Sequence, residues 1–341
     1  MLRTRLFALG AAKRAHALVA RKGGAISGLG RSGATEMNEI AQIVVLTLAA
    51  GTPLVFAALG ELVVEKAGVL NLGVEGMMLV GAIASFIVAA KSGSPWLGVF
   101  VGALAAALLS QIFAVIVLTL RANQVATGLA LSLFGIGLSA FIGRPFMSVV
   151  IEGIKPLAVP GLSTMPLVGK LIFGHNPLVY LSVVLFVVVQ VFLQRTRAGL
   201  VLRAVGESPQ SAHAIGYPVI AIRYAAVLFG GACAGLADAF LAVAYTPSWV
   251  EGMTAGRGWI ALALVVFASW KPWRVMIGAY LFGSVTLAQF QAQAAGVAVP
   301  SQLLAMLPYV ATIVVLALIS RDATMIRLNA PASLGKPYHP E

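Results

Sequence analysis

Charge is what this chain has least of. Of 341 residues only 10% are Asp, Glu, Lys or Arg, against 60% hydrophobic, and the mean hydropathy is +0.97. That balance excludes a soluble globular protein, whose helices need polar faces at a helical period; the run from Leu178 to Phe192 has none. Cysteine is nearly absent: Cys233 stands alone in an apolar run, which excludes a disulfide framework or a metal-thiolate cluster. His16, His175, His213 and His339 are scattered, and none pairs with a carboxylate or thiol at ligand or triad spacing. This argues against catalysis, a metal or a resident cofactor. A Gly-x-x-x-x-Gly-Lys-Ser/Thr sequence is missing as well, since Gly169-Lys170 and Gly335-Lys336 lack both the upstream glycine and the downstream hydroxyl.

What is present is a series of uncharged runs of about 20 residues, the length that crosses a bilayer as helix. The expected fold is an all-α, polytopic integral membrane bundle of 8 to 10 helices, some broken or re-entrant. The runs fall near 40–60, 70–90, 96–120, 125–142, 177–193, 225–244, 258–270, 275–292 and 303–319. The net charge of +12 resides in the first 36 positions and in short loops, so it reads as a topological signal and not as a nucleic-acid footprint. The loop Gln194 to Tyr224 carries Arg195, Arg197, Arg203 and Arg223, and the tail carries Arg321 and Arg327, which puts both inside the cell. Arg121 and the Lys271/Arg274 pair then lie inside too. Lys91 to Pro95, Gly143 to Asn176 and Tyr245 to Arg257 lie outside.

Counting back, the first crossing starts outside, yet residues 1–36 hold Arg3, Arg5, Lys13, Arg14, Arg21, Lys22 and Arg31, which resist export. Their apolar patches are too short for a secretory signal. They read either as a basic arm or targeting peptide, or as an extension created by start-site choice with Met37 as the true first residue. The membrane helix that begins directly after Met37 favours the second reading. The expected transmembrane domain is 37–321, followed by a cytoplasmic tail, 322–341.

The stretch Gly60 to Ala82 places Glu61, Glu65, Asn71 and Glu75 between long apolar runs. A charge at bilayer depth costs at least ~2.5 kcal/mol, so such groups face a bundle interior, a water-filled path or a partner. Glu61 and Glu65 share a helical face and could line a cavity or bind a basic residue, although Lys66 beside Glu65 also suits a helix end facing water. Asn71 and Glu75 are again four apart, flanked by Gly68, Gly73 and Gly76. That pattern suits a path or gate, or else an interhelical pair that only holds the bundle together. Asp238 is unpaired in its run, with Arg257 as one candidate partner.

Tyr245 to Gly258 combines aromatics, glycines and one charge of each sign before an apolar run too short to span comfortably, so a half-helix starting near Gly256 is expected. Its free N–H groups and positive dipole end would face a cavity where sugar hydroxyls could bind, beside Arg257. Trp249 and Tyr245 could equally be interfacial anchors. Trp259, Trp270 and Trp273 read as anchors, and Gly98/Gly102 and Gly231/Gly235 as close helix contacts. In the inside loop, Ser208 fits an N-cap, Pro209 the first helical position and Gly216 the residue past the end, which brackets a helix over 209–215. At about 10 Å it has no stability of its own in water and needs a docking partner.

Gly68-Val-Leu-Asn-Leu-Gly-Val-Glu-Gly-Met-Met-Leu-Val-Gly81 and Thr254-Ala-Gly-Arg-Gly-Trp-Ile-Ala-Leu-Ala-Leu-Val-Val-Phe267 together resemble the permease subunit of ATP-binding-cassette importers. The branch is the one for simple sugars, branched-chain amino acids and nucleosides, with nucleoside-type permeases most similar, and the resemblance covers Met37 to about Arg321. It implies a type II importer-like permease in the bacterial inner or plasma membrane. It further implies pairing with an identical or homologous permease, two cytoplasmic ATPase subunits and an extracytoplasmic solute-binding protein, in membrane lipid. The helix over 209–215 would then be the coupling helix seated in the ATPase, with Arg203, Glu207, Ser208, Pro209, Ala214 and Gly216 as the coupling residues. Asn71, Glu75, Glu61, Glu65, Gly73, Gly76, Gly256 and Arg257 would lie on the path of a nucleoside or, alternatively, a simple sugar. Hydropathy alone would also allow a passive facilitator.

Overall fold

A computed structural model of the chain describes residues 41–157, 173–296, 299–320 and 329–339. Residues 47–157 and 175–341 belong to one compact unit, which is the subject below; the other, 1–46 with 158–174, lies largely outside the described residues, as does the leader 1–36.

Seven described helices are long and apolar enough to cross a membrane: α1 (Ala41–Lys66), α2 (Val74–Ser92), α3 (Pro95–Ala114, extended to Thr119 by a π turn), α4 (Gln124–Gly143, extended to Phe146), α5 (Pro177–Arg195), α8 (Val219–Phe240, extended to Tyr245) and α10 (Pro272–Ala294). Between α5 and α8 lie the short helices α6 (Arg197–Glu207) and α7 (Pro209–Ala214); α9 is Arg257–Phe267, and α11 (Ser301–Ala305) with α12 (Leu307–Ser320) closes the bundle. The nine apolar runs are thus seven full-length helices and two shorter ones, Arg257–Phe267 and Gln302–Val315.

Helix starts follow local chemistry. Ser94, Asn123, Asn176 and Thr196 each accept a backbone N–H of the first turn of the following helix, and Pro95 and Pro177 occupy positions where no intrahelical donor is lost. With no hydrophobic drive between helices inside lipid, close approach must come from small residues. α2, α3 and α8 pack extensively on one another, and their contact is built on Gly81, Gly102 and Gly235. A methyl added to Gly81 would lie 2.6 Å from the Gly235 Cα, and one on Gly235 would lie 2.5 Å from the Gly102 carbonyl. The expected roles of Gly98, Gly102, Gly231 and Gly235 as close contacts agree with this packing.

The connections expected inside gather at one end of the bundle. There Leu70, Arg121, Gln124, Gly206, Arg223 and the segment 329–339 are mutually hydrogen-bonded. The connections expected outside gather elsewhere: Ile151 and Ile154 donate to the carbonyls of Pro247 and Val243, and Asn176 donates to Ile154.

Candidate functional site

α1 and α2 are joined by a non-helical segment, 67–73, that turns at Gly68, in the left-handed region, and returns toward the body of α1. There the Asn71 backbone donates to Glu61 Oε1 at 3.2 Å, while the Asn71 side-chain oxygen accepts Gly73 N–H at 3.0 Å and so ends the turn just before α2 begins. Glu61, Asn71 and Glu75 are all buried.

α9 is the second interruption. Its N-cap Gly256 has φ +76° and offers no side-chain cap, so the first N–H groups of the helix need an outside acceptor. Glu75 supplies it. Gly256 N–H donates to Glu75 Oε1 at 2.9 Å and Gly258 N–H to Oε2 at 2.7 Å, with Arg257 adding positive charge nearby. A carboxylate on a helix N-terminus gains both charge-assisted hydrogen bonds and the favourable end of the dipole. Gly258 permits the approach, since a methyl there would lie 2.7 Å from the Glu75 Cα. Gly76 similarly lets α2 meet α4, where a methyl would lie 2.6 Å from the Leu131 carbonyl.

This geometry corrects one expectation: the N–H groups at the start of α9 are not free toward a cavity but occupied by Glu75. Asn71 and Glu75 are not bonded to each other either; each makes its own join. Next to them Thr254 donates to Asp238, and the Tyr309 hydroxyl donates to the Ala255 carbonyl. No Asp238–Arg257 ion pair forms among the described residues; the Arg257 guanidinium instead donates to the carbonyls of Met253 and Thr254 at 3.1 and 3.3 Å. The cluster reaches the protein surface through Ala255, Trp259 and Tyr309, the last 42% exposed.

Glu65 does not face water. It is 1% exposed and accepts the Trp270 indole N–H at 2.5 Å. Trp270 is therefore not an interfacial anchor: the tight turn after α9, with Ser269 and Trp270 both at positive φ, turns its ring inward. Trp249 is buried as well, against Gly143, whereas Trp259 and Trp273 are exposed. An apolar groove of about 460 Å³, lined by Val63, Val188, Phe192, Val201, Ile222 and Phe229, suits a lipid chain and has no group to orient a polar solute.

At the end expected inside, Ser208 caps α7 by accepting Ser211 N–H at 3.3 Å, Pro209 is the first helical residue, and the helix ends at Ala214, one residue earlier than expected. Gly216, at φ +91°, closes it in a left-handed turn, with its N–H on His213 and that of Tyr217 on Ala212. Arg203, Glu207 and Ala214 are exposed, as are Leu200, Ile215 and Tyr217 around them.

A family model described as the permease component of the branched-chain amino acid transport system matches residues 43–319. The chain belongs to this family of ABC transporter permeases. A putative glucose ABC transporter permease protein, TsgC13 of Haloferax volcanii, is 41% identical over 89% of this chain and 99% of its own. The nucleoside ABC transporter permease protein NupC of Lactococcus lactis is 38% identical over 83% and 93%, and the guanosine ABC transporter permease protein NupQ of Bacillus subtilis 31% over 87% and 96%. No solved structure gives a significant match. The permease is thus a multi-pass plasma-membrane subunit of an ABC transporter, a class that works in complexes with an ATPase and a substrate-binding protein.

Proposed function

We propose that this permease forms one half of the translocation path of an importer for a nucleoside or related ribose-containing solute, the other half coming from an identical or homologous permease. The observation that carries the reading is the join made by Glu75, where the unwound segment 67–73 and the N-terminus of α9 meet at a buried carboxylate, with the exposed Ala255, Trp259 and Tyr309 next to it. Discontinuous helices of this kind supply polar backbone groups at membrane depth and can rearrange without exposing unpaired groups to lipid. Glu61, Glu65, Asn71, Gly73 and Gly76 shape one side of the join, and Gly256 and Arg257 the other. ATP is hydrolysed by separate cytoplasmic subunits that receive the α6–α7 segment through Arg203, Glu207, Ser208, Pro209, Ala214 and Gly216, and a solute-binding protein docks outside. Residues 37–321 form the permease domain on this reading, with 194–224 as its coupling loop and 322–341 as its tail.

The nucleoside assignment draws on the two relatives named for nucleosides and guanosine. A simple sugar is the second reading, favoured by the 41% identity to the putative glucose permease. Uptake of labelled nucleosides by cells with and without this subunit tests the choice. Uptake that depends on the subunit and is not displaced by excess glucose supports the nucleoside; subunit-dependent glucose uptake that nucleosides do not displace overturns it.

A further inference from the structure

Arg223 has no place in the path or in the surface of α7, yet it is 1% exposed, near the start of α8. Its Nε donates to the Ala67 carbonyl at 3.0 Å, on the segment that leads to Asn71 and Glu75, and its Nη2 donates to Ser333 Oγ at 3.0 Å. Ser333 in turn grips the end of α6 twice, donating from Oγ to the Gly206 carbonyl at 2.6 Å and from its backbone N–H at 3.1 Å. Tyr338 covers the guanidinium, 5.8 Å from its ring centroid, and packs with Val205, Ala212 and Val219 of α6, α7 and α8. Lys66 is tied to the same tail by a 2.8 Å bond to the Asn329 carbonyl. The Arg223 Nη1 has no hydrogen-bond partner among the described residues, but the packing at the centre is tight: a methyl on Gly68 would lie 2.3 Å from Ser333 Oγ and 2.8 Å from Arg223 Nη2, and one on Gly206 would lie 2.1 Å from the Lys66 carbonyl.

We propose that Arg223, held by residues 331–339, is a positioning residue that makes the α6–α7 segment and the unwound segment 67–73 move as one body. The inference rests on the reading of α7 as the ATPase contact. A planar guanidinium fixes its partners in angle as well as distance, which an ammonium does not. Displacement of α6 relative to Ala67 would leave a buried cation and several carbonyls unpaired, so a push on α7 is delivered to the segment that leads to Glu75 instead of being absorbed. The C-terminal tail, on this account, is a strap across the transmission and not a free end.

The test uses the full transporter in proteoliposomes, with ATPase and binding protein, and reads solute moved per ATP hydrolysed. Ser333→Ala and deletion of 330–341 are expected to leave membrane abundance and ATPase co-purification near wild type while lowering that ratio by about five-fold or more, within the usual range of site-to-site coupling. Arg223→Gln should uncouple further, and Arg223→Lys should recover only part. An unchanged ratio in both tail variants overturns the proposal, and so does a ratio that falls only in step with loss of the assembled complex. Should the Arg223 variants fail to insert, the two tail variants still decide. Failure of the α7 reading has a different signature, because Gly216→Val would then retain ATPase binding.

Discussion

Glu75, in the first turn of α2, and Arg223, near the start of α8, are both charged side chains buried in an apolar bundle, and each bonds to backbone at the ends of other helices, although the Arg223 Nη1 has no partner among the described residues. The carboxylate takes N–H groups at the start of α9; the guanidinium takes a carbonyl just past the end of α1 and, through Ser333, the carbonyl of Gly206 at the end of α6. Each charge therefore sits at the helix end whose dipole favours it. The difference is in what surrounds them. Around Glu75 the neighbours Ala255, Trp259 and Tyr309 are exposed, while Arg223 is sealed under Ser333 and Tyr338. On the proposed reading, two joins of similar chemistry serve different ends: the first belongs to the path of the solute, the second makes a rigid body.

The comparison breaks most visibly at Glu75. Glu75→Ala leaves two buried N–H groups unpaired at about 1–3 kcal/mol each, so the purified permease should melt earlier and uptake should vanish. A thermal shift no larger than that of an exposed-site control would contradict the join. Gly258→Ala should come next. It forces α9 away from Glu75 at a cost of about 1–3 kcal/mol of overpacking, detectable as reduced uptake with normal ATPase co-purification. At the opposite end, Gly216→Val places a branched residue in a left-handed turn at about 1–2 kcal/mol. It should weaken ATPase co-purification without altering insertion. The smallest effect belongs to Asp238→Asn, which keeps an acceptor for Thr254 and removes a carboxylate whose second oxygen has no partner. Stability should change by less than about 1 kcal/mol, read as a melting shift within error of wild type.

Much of this was legible in the sequence wherever the signal is local. The apolar runs became helices near their expected bounds; Ser208, Pro209 and Gly216 bracketed α7; and Gly256 marked the start of a short helix. What could not be read was which distant residue completes each local feature. Glu75 and Gly258 are 183 positions apart, and Glu65 and Trp270 are 205 apart. Periodicity places Glu65 at the end of a helix next to Lys66, which looks like water; only the turn at Ser269 and Trp270 brings a donor to it. The tail carried no periodic pattern to suggest a role, because a strap works through single residues, Ser333 and Tyr338, placed on partners from other connections. The place of Trp249 stayed open for a related reason: the room that admits its ring is made by Gly143, on another helix.

The most direct test of the central claim is solute uptake by Glu75→Gln at matched membrane abundance. Glutamine keeps the size of the side chain and one acceptor oxygen but loses the charge and the second acceptor, so one of the two N–H groups of α9 goes unpaired. If the join between the unwound segment and α9 governs passage, uptake should fall by about ten-fold or more, a difference of roughly 1.4 kcal/mol or greater, while insertion and ATPase co-purification stay at wild-type levels. Uptake within about two-fold of wild type, at equal abundance, would show that the buried carboxylate only holds the bundle together and that the path lies elsewhere.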